Sequence, residues 1–194
     1  MTRVPPLTRE AAAAVEPVFA AVEAGMGFVP NSMFAMAHWP ELLQSFAGFA
    51  GPVLNSGEVD LGLKQLVALV ASRASGCFYC QAHTSHNAER RGVAEQKINA
   101  AFEFATSDLF DDSERAALDL ALHAGMVPNG ATEAHFEALR AHFSEREIVE
   151  IVAVISVFGF LNRWNDTMAT QIEPDAAVFA SRVVEGWEAG KHAG

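Results

Sequence analysis

Residues 64–83 read KQLVALVASRASGCFYCQAH, and their reading decides the fold. Upstream and within this stretch, Leu61, Leu63, Leu66, Val67, Leu69 and Val70 fall almost all round a helix running from Glu58 to about Ser75. A helix that is apolar on every side has no face to offer water, so it is expected at the centre of a helical bundle. Gly76 breaks it, and a second helix follows from Cys77 to Arg91. Arg90, Arg91 and Gly92 close that helix with cations in its last turn and a residue that tolerates left-handed geometry.

The same pattern continues outward on both sides. Arg9 to Gly25 carries Val15, Phe19 and Val22 at helical spacing, with Pro17 breaking or starting it. Pro30 and Asn31 punctuate a loop over 28–32, and Pro40 suits the first turn of a helix whose Leu42, Leu43, Phe46 and Phe49 share a face. Shorter helices are expected over 94–105 and 113–125. Thr132 caps another that runs to about His142. Ser144 with Glu147 has capping-box spacing directly before the apolar run Ile148 to Leu161. A last helix is expected over 175–190. No run alternates with period two, so the chain reads as all-α with no sheet, one domain over 1–194 with a core of about 25–175. Residues 65–71 (QLVALVA) echo 150–156 (EIVAVIS), 85 positions on, which fits either chance or a duplicated helical unit that pairs Gln65 with Glu150.

The 194 residues are 51% hydrophobic and carry a net charge of −11. That sign works against nucleic acid and against anionic lipid, both of which need clustered Lys and Arg. The most apolar helix candidate, Ile151 to Asn162, is well short of the ~20 residues that cross a bilayer. The first seven residues lack the apolar core of a secretory signal, so a cytoplasmic location is expected. In a reducing compartment two cysteines are not expected to form a structural staple.

Those two cysteines are Cys77 and Cys80. Three residues apart at a helix start, they share a face and can come within disulfide distance. The free N–H groups of a first helical turn favour a thiolate, so the spacing predicts a thiol shifted from ~8.5 toward ~7. His83 lies three residues beyond Cys80, on the same face, where it can take and return a proton. A dithiol beside a base is the minimum set for reversible thiol–disulfide chemistry. A second reading makes Cys77, Cys80, His83 and His86 four zinc ligands of a metal-binding or redox-sensing module. Its weakness is that residues three, six and nine apart on one helix rotate away from a tetrahedral centre. A third reading is a helical oligomer with vestigial redox activity.

Residues 64–83, together with Val29-Pro-Asn31, Trp39-Pro-Glu-Leu-Leu43 and the FGFLNRWND run over 158–166, resemble the alkylhydroperoxidase AhpD and carboxymuconolactone decarboxylase superfamily, in its peroxidase-related branch. The resemblance covers about residues 25–175. It implies an all-α fold, a homo-oligomer, a hydroperoxide substrate and a dithiol or lipoyl-type reductant, with no haem, flavin or metal. It also implies roles: Cys80 attacks the peroxide, Cys77 resolves the sulfenic acid as a disulfide, and a histidine and a glutamate relay the proton. The usual histidine position holds Thr84 here, so His83 takes the role and His86 is the outsider. The glutamate position, twelve residues before Cys77, holds Gln65, an amide that can orient a proton but not carry one.

The remaining histidines carry plainer expectations. His38, His123, His135 and His142 read as surface or helix-end residues without partners, and His192 as part of a frayed tail. Phe46, Phe49, Phe102, Phe104, Phe158 and Phe160 read as core or subunit contacts rather than a substrate box. Asn162 and Asp166, four apart, either line the site or form a satisfied polar pair.

Overall fold

The computed structural model describes residues 2–194, which form ten α-helices and no strand among the described residues. Pro17 starts α1 (Glu16–Met26) at its first turn after a short 3-10 turn over Ala13–Val15. Asn31, expected in a loop, opens α2 (Asn31–Met36), because Pro30 is the extended N-cap residue (ψ 139°) and the six helical residues follow it directly. Pro40 opens α3 (Pro40–Asn55) as expected.

α4 (Leu61–Ala74) is the hub. Every residue from Gly62 to Ser72 is buried, and the helix packs against α5 (Phe78–Arg90), α7 (Asp112–Ala124) and α9 (Glu145–Met168). α6 (Glu95–Asn99) and a 3-10 turn occupy the span expected as a single helix over 94–105. α8 (Glu133–Arg140) follows Thr132, and Ser144 and Glu147 form the capping box that opens α9. α9 runs past the apolar stretch to Met168 and ends with Ala169 in left-handed geometry. No helix among the described residues is long and apolar enough to cross a membrane.

One charged residue lies inside the hub. Lys64 on α4 is 1% exposed, and its ammonium donates to the carbonyls of Val53 (3.1 Å) and Ser56 (2.6 Å) while pairing with Glu150 on α9 (2.9 Å). Glu150 also accepts from the backbone N–H groups of Glu58 and Val59 and from Arg146. This arrangement closes the carbonyl end of α3 and the loop into α4, the groups a helix terminus otherwise leaves unsatisfied. Burial opposes ionisation of Glu150, but the Lys64 and Arg146 bonds and the two N–H groups bring its pKa down to about 2.

The C-terminus departs from expectation. α10 (Pro174–Val183) stops seven residues short of Gly190, and Gly186 turns the chain with a positive φ of 68°. The following segment packs back on the body. Trp187 donates its indole N–H to the carbonyl of Phe78 (2.8 Å), and His192 is fully buried, not frayed. Its Nδ1 hydrogen-bonds the Thr170 carbonyl (2.8 Å) and its own carbonyl accepts from Ile172. Lys191 pairs with Asp166 nearby (2.7 Å). Local composition suggested fraying because the glycine-flanked tail hides the tertiary partners that hold it.

Candidate functional site

The turn between α4 and α5 builds the site. Gly76 adopts φ 73°, a conformation that glycine enters without steric cost, and reverses the chain within two residues of the end of α4. Cys77 then stands at the N-cap of α5, and its sulfur accepts from the backbone N–H of Cys80 (3.4 Å). Both cysteines are buried and unpaired, with the sulfurs at the same end of the helix as the spacing predicts.

The two sulfurs are not equivalent. Cys80 lines a cavity of about 670 Å³, whereas Cys77 does not. Cys80 also differs from its expectation. Burial pushes its thiol well above the usual range, Cys77 adds to the rise, and the Asn165 amide, donating to Sγ at 3.6 Å, works the other way. The helix terminus does not lower it, because the first-turn N–H points at the Cys77 sulfur. The Cys80 thiol is thus shifted the opposite way from the lowering that a helix start alone predicts.

His83 lines the same cavity on the same helix face. Its Nε2 lies 2.5 Å from Oε2 of Glu173, the residue immediately before α10. Glu173 does not cap its own helix; its other oxygen accepts from the Tyr79 hydroxyl (3.1 Å) and from the backbone N–H of Asn31, the first residue of α2. One carboxylate therefore ties α2, α5 and α10 around the histidine. Burial alone would raise the pKa of Glu173, yet His83 and the Asn31 N–H hold it below the ordinary carboxylate range. Tyr79, stacked on the His83 ring at 4.3 Å, is fully buried, and that burial and the Glu173 charge push its hydroxyl well above the usual value, so it stays a donor. His83 makes no hydrogen bond to either sulfur and shares only the cavity with Cys80.

Gln65 reaches the cavity from α4, with its carbonyl oxygen buried and unpartnered. Thr84, at the position where the family resemblance implies a histidine, returns its hydroxyl to the Cys80 carbonyl (2.8 Å) and has no further role in the site. His86 packs between Phe28 and Phe179, outside the cavity, and burial lowers its pKa. The four-ligand zinc reading is not assembled, because His83 is committed to Glu173 and His86 is turned into an aromatic cleft. Phe46 and Phe158, expected only as core or subunit contacts, form part of the cavity wall beside Val18, Val22, Leu54 and Leu161.

Two polar expectations resolve elsewhere. Asn162 and Asp166 line a separate cavity of about 500 Å³ with Ser75 and Gly125; the residue of α9 that meets Cys80 is Asn165. His123 and His135, expected to lack partners, converge on Asp119. There the His123 Nδ1 bonds the Asp119 carbonyl (2.9 Å), and the His135 Nδ1 accepts from the Thr132 backbone (2.9 Å) while its Nε2 faces Asp119 (3.5 Å). The ring nitrogens serve a hydrogen-bonded clip between α7 and α8. His38 and His142 are exposed, as expected.

Glu173, Tyr79 and Asn165 are site residues that sequence reasoning passed over. Glu173 lies ninety residues from His83 and shows only as an acidic residue before Pro174 that fails to cap its helix.

The site is thus a Cys-x-x-Cys pair at a helix start in an all-helical fold, with Cys80 on the wall of a mainly apolar cavity. The chain belongs to the AhpD and carboxymuconolactone decarboxylase superfamily; the model of the Carboxymuconolactone decarboxylase family matches residues 40–123. Among solved structures it is 38% identical to a cysteine-to-alanine variant of the debrominase Bmp8 in complex with 2,3,4-tribromopyrrole, covering 94% of this chain and 98% of that one at a TM-score of 0.89. It is 29% identical to a protein of Agrobacterium tumefaciens described as a putative antioxidant defence protein AhpD, over 71% of this chain and 94% of that one, TM-score 0.65. It shares the fold of an uncharacterized peroxidase-related protein from Ralstonia eutropha JMP134, 24% identical over 92% and 95% of the two chains, TM-score 0.80.

Proposed function

We propose that the protein is a two-cysteine thiol oxidoreductase that reduces a small, mainly apolar electrophile held in the cavity above Cys80, with an organic hydroperoxide as the leading substrate. The observation that carries this reading is the asymmetry of the pair: Cys80 lines the cavity, and Cys77 sits within its reach but outside the cavity. The attacking sulfur is therefore Cys80 and the resolving sulfur Cys77. His83, oriented by Glu173, removes the Cys80 proton. The thiolate attacks the distal oxygen, the O–O bond breaks, and the proton passes to the departing alkoxide, leaving an alcohol and Cys80 sulfenic acid. Cys77 displaces hydroxide as water and forms the disulfide, and an external dithiol of protein or lipoyl type returns both thiols. Gln65 binds rather than relays in this scheme.

The likeness to a debrominase over nearly the whole chain favours a second reading with the same residues. A halogenated ring takes a proton at carbon, Cys80 takes the halogen, and Cys77 displaces halide to form the same disulfide. Two thiols are consumed per carbon–halogen bond, as two are consumed per peroxide. Exposed Phe49, Val152 and Phe160 on α3 and α9 support a homo-oligomer under either reading.

Stopped-flow mixing of reduced protein with cumene hydroperoxide, followed by thiol counting, tests the first reading: both thiols disappear per peroxide consumed. No thiol loss with peroxide, but halide release from a brominated pyrrole, moves the assignment to the second. No thiol loss with either contradicts both.

A further inference from the structure

The polar groups of the cavity divide into those already engaged and those left waiting. The Tyr79 hydroxyl donates to Glu173 and accepts from the Ser32 backbone N–H (3.4 Å). The His83 Nε2 is held by Glu173, and the Asn165 Nδ2 by the Cys80 sulfur. Two buried amide carbonyls remain without any donor, Oε1 of Gln65 and Oδ1 of Asn165. Gln65 is 4% exposed on the most apolar helix of the fold, where Leu63, Leu66 and Leu69 surround it in sequence. A purely structural position there would carry another aliphatic side chain. The other polar residue of that stretch, Lys64, is fully engaged by Glu150 and two carbonyls. Buried polar groups in native proteins are paired, and an unpaired one calls for a specific partner.

We propose that Gln65 reads a hydrogen-bond donor on the substrate, so that the cavity takes an apolar ring or chain bearing an N–H or O–H beside the atom that Cys80 attacks. The proposal deepens, and rests on, the reading of this cavity as the substrate site of the two-cysteine chemistry. A half-turn of the Gln65 amide about its last bond presents the carbonyl to the cavity. The amide is neutral, so it recognises a donor without adding a charge beside the Cys80 sulfur. The apolar wall of Val18, Val22, Phe46 and Leu161 takes the rest of the molecule. A hydroperoxide O–H, a phenol O–H and a pyrrole-type N–H all meet the requirement. Ethers, dialkyl peroxides and N-alkylated rings do not. A site built round a hydrogen bond discriminates against the analogue that lacks it, because the buried group is then left unpaired.

Indole and 1-methylindole test this directly, since neither carries a peroxide or a halogen and binding is read without turnover. Calorimetric titration of the reduced wild-type protein is expected to give indole a Kd about tenfold lower, the size of one net hydrogen bond to a buried acceptor. The added methyl group works in the opposite direction, since it buries more apolar surface. In Gln65→Leu the preference is expected to vanish or reverse, with thermal melting as the check that the variant folds. Equal or tighter binding of 1-methylindole to the wild type overturns the proposal, as does failure of both to bind, or a preference that survives in a folded Gln65→Leu. The wild-type pair decides alone if that variant does not fold. Loss of both thiols on peroxide addition is read separately. A failed indole preference with intact thiol loss rejects the donor subsite alone; a kept preference with no thiol loss to either the peroxide or a brominated pyrrole rejects the two-cysteine chemistry.

Discussion

The molecule holds two buried carboxylates that cross-link distant segments, and they serve opposite ends. Glu150 meets the Lys64 ammonium and two backbone N–H groups, and it lines neither of the two cavities described above. Glu173 meets a titratable ring, His83, at the wall of a cavity that also exposes a thiol. A carboxylate locked to an ammonium and to backbone amides is held ionised well below the ordinary carboxylate range and keeps a loop in place. A carboxylate on an imidazole leaves a group that can gain and lose a proton while its orientation stays fixed. The comparison teaches that what partners a buried acid, and whether open space adjoins it, separates structure from chemistry better than burial does.

The sharpest way to break the comparison is to neutralise each acid in turn. Glu173→Gln keeps the shape but removes the charge that orients His83. Turnover is expected to fall about 10²-fold or more, the scale of general acid–base help. Steady-state kinetics against a hydroperoxide checks it; a loss below threefold would show that His83 acts without Glu173. Glu150→Gln is expected to act on stability instead. Removing one partner strands the Lys64 charge in the core, a loss of about 3 kcal/mol or more in denaturant unfolding, while the folded fraction retains its turnover per molecule. If Glu150→Gln slowed turnover of folded protein tenfold, the division of labour would fail.

Gln65→Glu gives a smaller effect. If Gln65 stood in for a missing relay carboxylate, restoring the acid would accelerate the enzyme. With Glu173 already on His83, a second negative charge beside Cys80 opposes thiolate formation, and turnover is expected to stay level or fall a few-fold. A clear gain would return the relay role to position 65.

The acid limb of stability offers the finest distinction. Glu150 has a folded pKa of about 2 against an ordinary 4.5, so the stability it supplies is complete above about pH 4.5 and is lost as pH falls from there toward 2. The difference in unfolding free energy between wild type and Glu150→Gln should narrow across that window. A constant difference down to pH 2 would show that the ion pair is not its source.

Much of the architecture was legible because local signals and tertiary fate agree. The all-round apolar pattern of 61–71 placed α4 at the centre, and Pro17, Pro40 and the Ser144–Glu147 box began helices where the rules put them. The pairing of Cys77 with Cys80 at a helix start and the placing of His83 on the same face were legible for the same reason. Glu173 was not, because nothing within ninety residues of it in sequence marks the contact with His83. The sequence echo paired Gln65 with Glu150, and the fold gives that acid to Lys64 instead of to the cavity. The Cys80 thiol was misjudged because helix polarity can be read from position, whereas its burial, and the capture of its own N–H by the Cys77 sulfur, depend on packing. His192 escaped for a similar reason: its anchors at Thr170 and Ile172 lie about twenty residues away.

The central claim is the asymmetry of the two sulfurs, and trapping with a dimedone-type reagent during peroxide addition tests it most directly. In Cys77→Ser the attack proceeds without resolution, so Cys80 is expected to accumulate as a sulfenic acid, to be trapped stoichiometrically, and to over-oxidise when the trap is withheld. In Cys80→Ser no trapped species is expected above slow background, since Cys77 does not line the cavity. Sulfenic acid trapped at Cys77 in Cys80→Ser, with none at Cys80 in Cys77→Ser, would reverse the two roles and contradict the account.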